Sequence, residues 1–560
     1  MFGTKPSDSA TRGVLPLAAV FALALVLRAL IVDLPFERDE GEYGYIAWRW
    51  LQGALPYVDS FDQKPPGVFL AYATLIRLFG TSPRAVHWGT QLYTLGTLAA
   101  LFTVGRTLVS PAVGVAAAAF LALLTLDASF LGSASNTETF LLLPIILALW
   151  AAVRAIERDS LGWSAAAGLL GGLACLFKQV AAFDLLFVGL IVVFLGTRQS
   201  RLRRGAALTL GAVAAVLPVV AVFVGSGAFH TFLEHVLLHN LAYTARVPLS
   251  QYPKNFWATF SWSLGSCGAI YALAVAAFFQ RSGALASFPE PHSLPVRGIA
   301  VGWLAFSFLG VASGGYFREH YFLQAMPAVA LLAAMGALGL PPRSMAASTR
   351  ARLSLLLVAA ALAAGIGASH FYFFHPSSDE RSRWLYGRSA FAESPLVARF
   401  IAERTRPDET VFVFGSEPQI LFEAQRRSAT RYILVYPLFG PFLDAQDRQR
   451  EALAEVRAAR PAFIVTTTVP ASFSGTKTPP DDLYRGLVDL LQRDYRPAGF
   501  VPVPARDRLT LLSDADAERM RAAVPKLSDP RIWGSLAVFE RRDRQERSPQ
   551  AAFTAPLPGA

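Results

Sequence analysis

Residues 14–45 read VLPLAAVFALALVLRALIVDLPFERDEGEYGY, an apolar run that stops abruptly at a string of carboxylates. The apolar part, residues 14–32, is long enough to cross a bilayer as a helix. No small-residue cleavage site follows it closely, so we expect a retained first helix rather than a removed signal peptide. The first loop beyond this helix then carries the string Asp39-Glu40-Gly41-Glu42-Tyr43, called the acidic motif below.

The composition extends this pattern to most of the chain. Of its 560 residues, 53% are hydrophobic and 16% are charged, against about 25% charged in soluble domains. The apolar residues form long runs, which predict a mainly α, polytopic helical bundle of about 11 spans in a domain covering residues 1–375. The ten further spans are expected at residues 87–108, 112–130, 139–156, 163–177, 180–195, 205–224, 258–279, 299–313, 321–340 and 353–373.

Basic residues in short loops predict the topology. The net charge is +11, and residues 198–204 and 343–352 form two strongly basic loops. Such loops are cytoplasmic in membrane proteins, which favours topology over nucleic-acid binding as the reason for the charge. Counting from them places the N-terminus inside, and the acidic motif and the C-terminal region outside. This count treats residues 66–80 as re-entrant or surface-lying, because about 15 residues are too few to span. If they did span, the acidic motif would be cytoplasmic.

The last third of the chain is more polar. Residues 376–540 predict a soluble α/β domain, with strands at 410–414, 432–436 and 462–467 and helices at 442–459 and 482–493. It contains no glycine-rich dinucleotide or P-loop motif, so nucleotide binding is not supported. Residues 541–560 are polar and proline-rich, which predicts a disordered tail. The two cysteines, Cys175 and Cys267, do not indicate a disulfide framework.

The acidic motif is the first candidate for chemistry. Carboxylates near a bilayer surface are costly unless they are hydrated, paired or used. The residues that follow, Tyr45 to Leu51, are aromatic and amphipathic and predict an interfacial helix. Such a helix would hold the carboxylates at the lipid–water boundary. The alternative is a solvated loop with an aromatic anchor.

Two lysines are the candidate cations. Lys64 follows Asp62 and precedes Pro65 and Pro66, which stiffen the backbone and fix the direction of the side chain. Lys178 lies between two apolar segments, where an unpaired charge is costly. A phosphate group would suit either cation. The alternative is that each lysine simply extends to the membrane surface.

Three further polar groups lie near predicted span ends. Glu138 begins a span and would also serve as an ordinary helix cap. Residues 315–321 contain Tyr316, Arg318, His320 and Tyr321 just before a late span. In the loop 226–257, His235 and His239 have the spacing of two metal ligands on a helix, but no zinc-protease pattern is present. We therefore expect no metal site there.

Together these residues resemble the GT-C glycosyltransferases, in particular the protein O-mannosyltransferase and bacterial aminoarabinose transferase superfamily. The resemblance covers residues 14–340 and rests on order and spacing. The matching residues are the Asp39-Glu40 pair after the first span, Lys64-Pro65-Pro66, Glu138 at a span start, Lys178 after a Leu-Phe run, and His320-Tyr321 with Pro327. Glu138 stands where the family usually has an aspartate, and Gln63 stands where the aminoarabinose transferases have an acidic residue.

The resemblance implies an inverting transfer of a sugar from a polyprenyl-phosphate donor to an extracytoplasmic acceptor hydroxyl on a lipid, glycan or protein. Asp39 would be the catalytic base, supported by Glu40. Lys64, Lys178 and Arg318 would bind the donor phosphate. The remaining substrate-site candidates are Glu42, Tyr43, Asp62, Glu138, Tyr316, His320 and Tyr321.

The implied location is the bacterial inner membrane, with membrane lipids as partners. No cofactor is predicted with certainty, and a requirement for a divalent metal ion is left open. The alternatives are a lipid or glycolipid transporter, which predicts charges in mid-membrane and related halves, and a membrane scaffold that presents the outer domain. The charges here cluster in loops, and a scaffold would leave the acidic motif and both lysines unexplained.

Overall fold

The structure is a computed structural model that describes residues 14–279, 295–342, 344–387, 389–439, 444–473, 481–503, 510–511 and 535–544. Contacts divide the chain into two compact units. The helical unit comprises Met1–Asp33, Gln63–Gly80 and Arg84–Pro376, and the α/β unit comprises Leu34–Asp62, Thr81–Pro83 and Ser377–Ala560. The segment Leu34–Asp62, which carries the acidic motif, therefore groups with the C-terminal region and not with the helices that flank it in sequence.

The helices of the helical unit follow the apolar runs of the sequence. They are α1 (Val14–Ala29), α3 (Gly67–Phe79), α4 (Pro83–Leu108), α5 (Pro111–Leu124), α6 (Thr137–Glu157), α7 (Leu161–Phe177), α8 (Ala182–Phe194), α9 (Arg201–Gly225), α10 (Phe229–Leu233), α11 (Asn240–Thr244), α12 (Tyr252–Phe279), α13 (Val296–Ala312), α14 (Met326–Gly339), α15 (Ala347–Ala368) and α16 (His370–Phe374). A π-helical turn covers Glu234–His239, and short 3-10 helices cover Ala128–Phe130, Gln179–Ala181, Leu249–Gln251 and Glu319–Ala325.

The predicted helical bundle is confirmed, since each of the eleven predicted spans overlaps one of these helices. Five helical segments among the described residues are long and apolar enough to cross a membrane, and six more are apolar but shorter. Helix α3 is one of the short ones, with 13 residues. At 1.5 Å per residue it is about 20 Å long, less than the ~30 Å hydrocarbon core.

Small residues set the packing between the long helices. Gly168 of α7 lies against the carbonyl of Leu208 in α9, and Gly211 of α9 lies against the carbonyl of Ala165 in α7. A Cβ atom at either glycine would collide with the opposing backbone. Close backbone approach at glycines is a common way for apolar helices to associate, because lipid-facing surfaces offer no hydrophobic drive for pairing.

The α/β unit contains helix α2 (Arg38–Leu51) and the C-terminal elements. Its sheet has six strands in the order β2-β1-β3-β6-β4-β5, with β1 parallel to β2 and β3 and the remaining pairs antiparallel. In chain order the elements are α17 (Ser378–Tyr386), α18 (Ser394–Arg404), β1 (Thr410–Phe414), α19 (Gln419–Ala424), β2 (Arg427–Ser428), α20 (Ala445–Ala459), β3 (Phe463–Thr467), α21 (Asp481–Asp494), β4 (Tyr495–Pro502), β5 (Thr510–Leu511) and β6 (Ser535–Arg541), with 3-10 turns at Tyr436–Leu438 and Pro470–Phe473.

One strand prediction is wrong. Residues 432–435 are buried and Tyr436 is half-buried, but they form bends and the start of a 3-10 turn. Glu455 accepts hydrogen bonds from the Thr430 hydroxyl and from the backbone N–H of Arg431. Side-chain bonds of this kind compete with a strand ladder. Around this segment, the N–H of Ala429 donates to the carbonyl of Val411 in β1, and the N–H of Val435 donates to the carbonyl of Gly415, just after β1.

The other predicted strands are observed at β1 and β3, and the two predicted helices correspond to α20 and α21. Strand β6 ends at Arg541, and Arg544 donates to Glu409, so the described structure continues past residue 540. The rest of the predicted disordered tail, residues 545–560, lies outside the described residues.

Candidate active site

A buried ion pair is the central feature of the helical unit. Glu138, in the first turn of α6, has no exposed surface and accepts hydrogen bonds from Lys178 and from the hydroxyl of Thr137. Lys178 ends α7 and is 8% exposed. A carboxylate at the start of a helix is also favoured by the helix dipole. The two residues, 40 positions apart in sequence, therefore hold two helix ends together through opposite charges.

The ammonium group of Lys178 also faces an aromatic ring. Its Nζ atom lies 3.5 Å from the centroid of the Tyr321 ring, a cation–π contact. Tyr321 belongs to the 3-10 helix Glu319–Ala325, and the neighbouring His320 acts electrostatically on Glu138. Lys178, Glu138 and Tyr321 line a cavity of about 170 Å³, together with Gln179, Asn240, Tyr243, Tyr316 and Gln324.

Two tyrosines line the same cavity, and one of them belongs to helix α11. The rings of Tyr243 and Tyr316 stack with centroids 4.4 Å apart, and the Tyr316 hydroxyl donates to the Tyr243 carbonyl at 3.2 Å. Burial, followed by the neighbouring Tyr321, raises the pKa of Tyr243, while Arg318 and Lys64 act in the opposite direction. Burial likewise raises the pKa of Tyr316 to about 12. Both phenols are therefore neutral donors at physiological pH.

The position of Lys64 follows from a contact made by the preceding residue. Asn240 of α11 donates from Nδ2 to the carbonyl of Gln63 at 2.6 Å and to the carbonyl of Val236 at 2.9 Å. The cation predicted from the Lys-Pro-Pro string is thereby tied to the segment that supplies Tyr243. The structure thus brings Lys64, Lys178, Glu138, Tyr316, Arg318, His320 and Tyr321 into one region of the helical unit.

Asp184 is a supporting residue that the sequence analysis did not identify. This fully buried carboxylate of α8 accepts hydrogen bonds from Ser307 at 2.5 Å, Trp303 at 3.2 Å and Gln324 at 2.5 Å. Gln324 also donates to the carbonyl of Val180, so the network fixes the 3-10 helix that carries Tyr321. The available signal was an aspartate within the apolar run 180–195, where a charge is costly unless it has partners.

The acidic motif lies within helix α2 of the α/β unit. The predicted helix after the motif exists, but it begins at Arg38, so Asp39 and Glu40 occupy its first turn. Asp39 is half-buried and accepts a long hydrogen bond of 3.5 Å from the hydroxyl of Tyr43, one turn later. The carboxylate of Glu40 accepts from the backbone N–H of Glu37 at 3.3 Å and so closes the start of the helix.

Two carboxylates of the acidic motif act on Glu37, the buried residue just before it. Burial raises the pKa of Glu37 well above its ordinary value, and the charges of Asp39 and Glu40 add to this effect. Glu42 and Asp62, two further candidates, are 4% and 2% exposed. Residues 41–48 are buried within the protein, which differs from the expected helix lying on a lipid surface.

His235 and His239 lie one turn apart in the π-helical segment and are buried. Across the part of the chain that the structure describes, no group of three or more histidine, cysteine, aspartate or glutamate side chains is arranged to hold a metal ion. Both cysteines are free.

Comparison with known proteins extends the resemblance seen in the sequence. Residues 63–224 match the family model described as dolichyl-phosphate-mannose-protein mannosyltransferase. This segment contains Lys64, Glu138 and Lys178. A search of curated proteins finds no significant match.

Several solved structures are similar over most of the chain. ArnT from Cupriavidus metallidurans bound to undecaprenyl phosphate matches with a TM-score of 0.57 and 17% identity, covering 80% of this chain and 93% of that one. The apo form of that protein matches with a TM-score of 0.54 and 18% identity, covering 90% and 98%. The archaeal oligosaccharyltransferase AglB from Archaeoglobus fulgidus gives a TM-score of 0.46 and 12% identity, covering 90% and 75%.

The predicted resemblance is therefore confirmed. The chain is a multi-pass membrane protein with the GT-C glycosyltransferase fold, and over residues 63–224 it matches the sequence model of the dolichyl-phosphate-mannose-protein mannosyltransferase family.

Proposed function

We propose that the protein transfers a sugar from a polyprenyl-phosphate donor to an acceptor hydroxyl, with inversion at the sugar. The observation that carries this proposal is the buried Lys178–Glu138 pair beside the Tyr321 ring, at the wall of a cavity in the helical unit. The undecaprenyl phosphate bound to ArnT, which has the same fold, supports a lipid-linked phosphate as the ligand.

The proposed role of the cations follows from the chemistry of the donor. When the sugar leaves its lipid phosphate, negative charge grows on the phosphate oxygens. Lys178, Lys64 and Arg318 stabilise this charge electrostatically, and preorganised charges in a partly dry site are effective because they need little rearrangement during the reaction. The ammonium group of Lys178 has three donors, and Glu138 and Tyr321 hold it in place. The neutral phenol of Tyr243 adds a further hydrogen-bonding group to the lining of the same cavity.

The proposed base is Asp39. An acceptor hydroxyl must lose its proton as it attacks the sugar, and a carboxylate within hydrogen-bond reach contributes about 10²–10⁴-fold to the rate. Glu40 supports the start of the helix that carries Asp39, through its bond to the N–H of Glu37. The acceptor belongs to the class of extracytoplasmic lipids, glycans or proteins, and the positive-inside rule supports an N-terminus in the cytoplasm of a bacterial inner membrane.

The test is Asp39→Asn in the purified full-length protein, assayed with labelled polyprenyl-phosphate sugars. We expect transfer to fall at least ~100-fold, because the amide cannot accept the proton. Donor binding and thermal stability should stay close to those of the unmodified protein.

The matched control is Asp33→Asn. Asp33 precedes the same helix, is about half exposed and forms a surface ion pair with Arg84 at 3.1 Å. We expect transfer by this variant to stay within about twofold, since surface pairs contribute little. Near-normal transfer by Asp39→Asn would contradict the assignment of the base.

A further inference from the structure

The α/β unit holds the acidic motif through several independent contacts. The segment Leu34–Asp62 belongs to this unit. At its C-terminal end, Phe61 is part of the hydrophobic core of the unit, where its ring stacks on Tyr432 with centroids 5.7 Å apart. The backbone N–H of Phe61 donates to the carbonyl of Arg431 at 2.9 Å, and Arg431 donates to the carbonyl of Tyr57 at 2.6 Å. This end of the segment is therefore part of the fold of the α/β unit.

At the other end, one arginine joins α2 to the loops that follow two parallel strands. Arg38 donates from Nε to the carbonyl of Ser416 at 3.0 Å and from Nη2 to the carbonyl of Ala471 at 2.7 Å. Ser416 lies just after β1 and Ala471 just after β3, at the carboxyl edge of the parallel part of the sheet. This is the edge at which α/β folds usually place their functional groups.

Glycine allows α2 to lie directly on the backbone of α19. A Cβ atom at Gly41 would collide with the N atom of Gln419 and lie 2.7 Å from its Cα. At Gly44 the nearest atoms, in the rings of Phe36 and Phe422, would be 3.3 Å away. The rings of Phe36 and Phe422 stack with centroids 5.4 Å apart. The contact is therefore tightest at Gly41, two residues after Asp39.

We propose that Arg38 and Gly41 are positioning residues that set the location of the Asp39 carboxylate on the α/β unit. This rests on the proposed function, in which Asp39 is the base. Arg38 and Gly41 flank Asp39 in the first turn of α2, so a shift of the helix on its support moves the carboxylate directly. A general base acts only within hydrogen-bond reach of its proton, and a displacement of about 1 Å can cost ~10²-fold in rate.

The experiment measures kcat and the donor KM separately in the full-length protein carrying Arg38→Ala or Gly41→Ala. The donor phosphate is assigned to the helical unit, so we expect kcat to fall about 30-fold or more while the donor KM stays within about threefold. Arg38→Lys should recover part of kcat, because an ammonium group can still donate to one of the two carbonyls.

Gly41→Ala separates positioning from stability. Alanine is a better helix former than glycine, so α2 as an isolated helix would gain from the change. We expect the collision with the Gln419 backbone to displace α2 and to lower kcat strongly, and thermal unfolding and limited proteolysis check that the fold is retained. At Gly44 the nearest atoms belong to side chains, which can move. We therefore expect the fold-reduction in kcat for Gly44→Ala to be less than a quarter of that for Gly41→Ala.

The matched control is Arg49→Ala. Arg49 lies at the other end of α2, where its side chain bonds Gln52 and lies 5.8 Å from the Trp48 ring centroid. We expect its kcat to stay within about twofold.

Three outcomes are distinguishable. If Asp39→Asn abolishes transfer while Arg38→Ala and Gly41→Ala keep normal kcat, the positioning role is wrong and the proposed function stands. If Arg38→Ala raises the donor KM as much as it lowers kcat, the α/β unit acts on donor binding and the positioning role is again wrong. If Asp39→Asn itself keeps normal transfer, the proposed function is wrong, and so is the positioning role that rests on it.

Discussion

The Lys178–Glu138 pair and the start of helix α2 hold charge inside the protein in opposite ways. In the helical unit a buried carboxylate faces a buried ammonium group and an aromatic ring. In the α/β unit, burial raises the pKa of Glu37, and the nearby carboxylates of Asp39 and Glu40 add to this effect. The helical unit therefore pairs opposite charges, whereas the start of α2 gathers like charges.

This difference matches the two tasks that a sugar transfer from a lipid phosphate needs. A departing phosphate requires a cation that stays charged, which a buried pair provides at the expense of desolvation. An attacking hydroxyl requires a carboxylate that can accept its proton, which is the role proposed for Asp39.

The largest effect is expected for Lys178→Ala. Removing the ammonium group leaves Glu138 buried without its main counter-charge, which costs about 3–5 kcal/mol in comparable pairs. We expect a clear fall in Tm and a loss of transfer of at least ~100-fold, measured by thermal unfolding and by the labelled-donor assay.

The double variant Lys178→Met with Glu138→Gln is the control for this prediction. Replacing both charges removes the unpaired carboxylate, so stability should largely recover while transfer stays absent. An unchanged Tm in Lys178→Ala would show that the pair is not a buried structural contact, and recovered transfer in the double variant would contradict the role of the cation.

An intermediate effect is expected at Tyr321. Tyr321→Leu removes the ring under the ammonium group, and a desolvated cation–π contact contributes up to about 2 kcal/mol, so we expect the donor KM to rise about tenfold. Tyr321→Phe keeps the ring and should change KM less than threefold. Equal effects of the two substitutions would show that the hydroxyl, and not the ring, is what the site uses.

The smallest effect is a pH dependence in the support of α2. Glu417, 1% exposed beside Ser416, accepts a hydrogen bond from Ser472, and burial raises the pKa of its carboxyl group. A raised pKa in the folded state means that the folded protein binds the proton more tightly than the unfolded chain. This group therefore lowers stability once the pH exceeds the ordinary range of glutamate, about 4.3, and has no effect well below it.

We accordingly expect Glu417→Gln to raise Tm slightly at neutral pH, with a gain that shrinks as the pH falls towards about 4 and is lost below it. The measurement is Tm of the full-length protein against pH. The exposed Asp379→Asn serves as a control, since its replacement relieves no burial. A gain that grows towards low pH would contradict the assigned direction.

Much of the fold could be predicted because it depends on local pattern. Each of the eleven spans predicted from apolar runs overlaps a helix, and β1 and β3 lie where short buried runs predicted them. The strand at 432–436 was wrong because hydrogen bonds from Thr430 and Arg431 to Glu455, 25 and 24 residues away, outweigh its strand-like composition. Asp184 was missed because its partners lie on other helices.

The sequence alone determined that the chain is a polytopic membrane protein with a polar C-terminal region, and it identified the acidic motif and the two lysines as candidates. These conclusions rest on hydrophobicity, charge and spacing, which are local. Only the tertiary structure showed that Lys178 pairs with Glu138 over the Tyr321 ring, and that the acidic motif belongs to the α/β unit. Both observations depend on contacts between residues that lie tens to hundreds of positions apart in the sequence. The need for glycine at position 41 is likewise visible only in the structure, because the backbone of Gln419 lies against it.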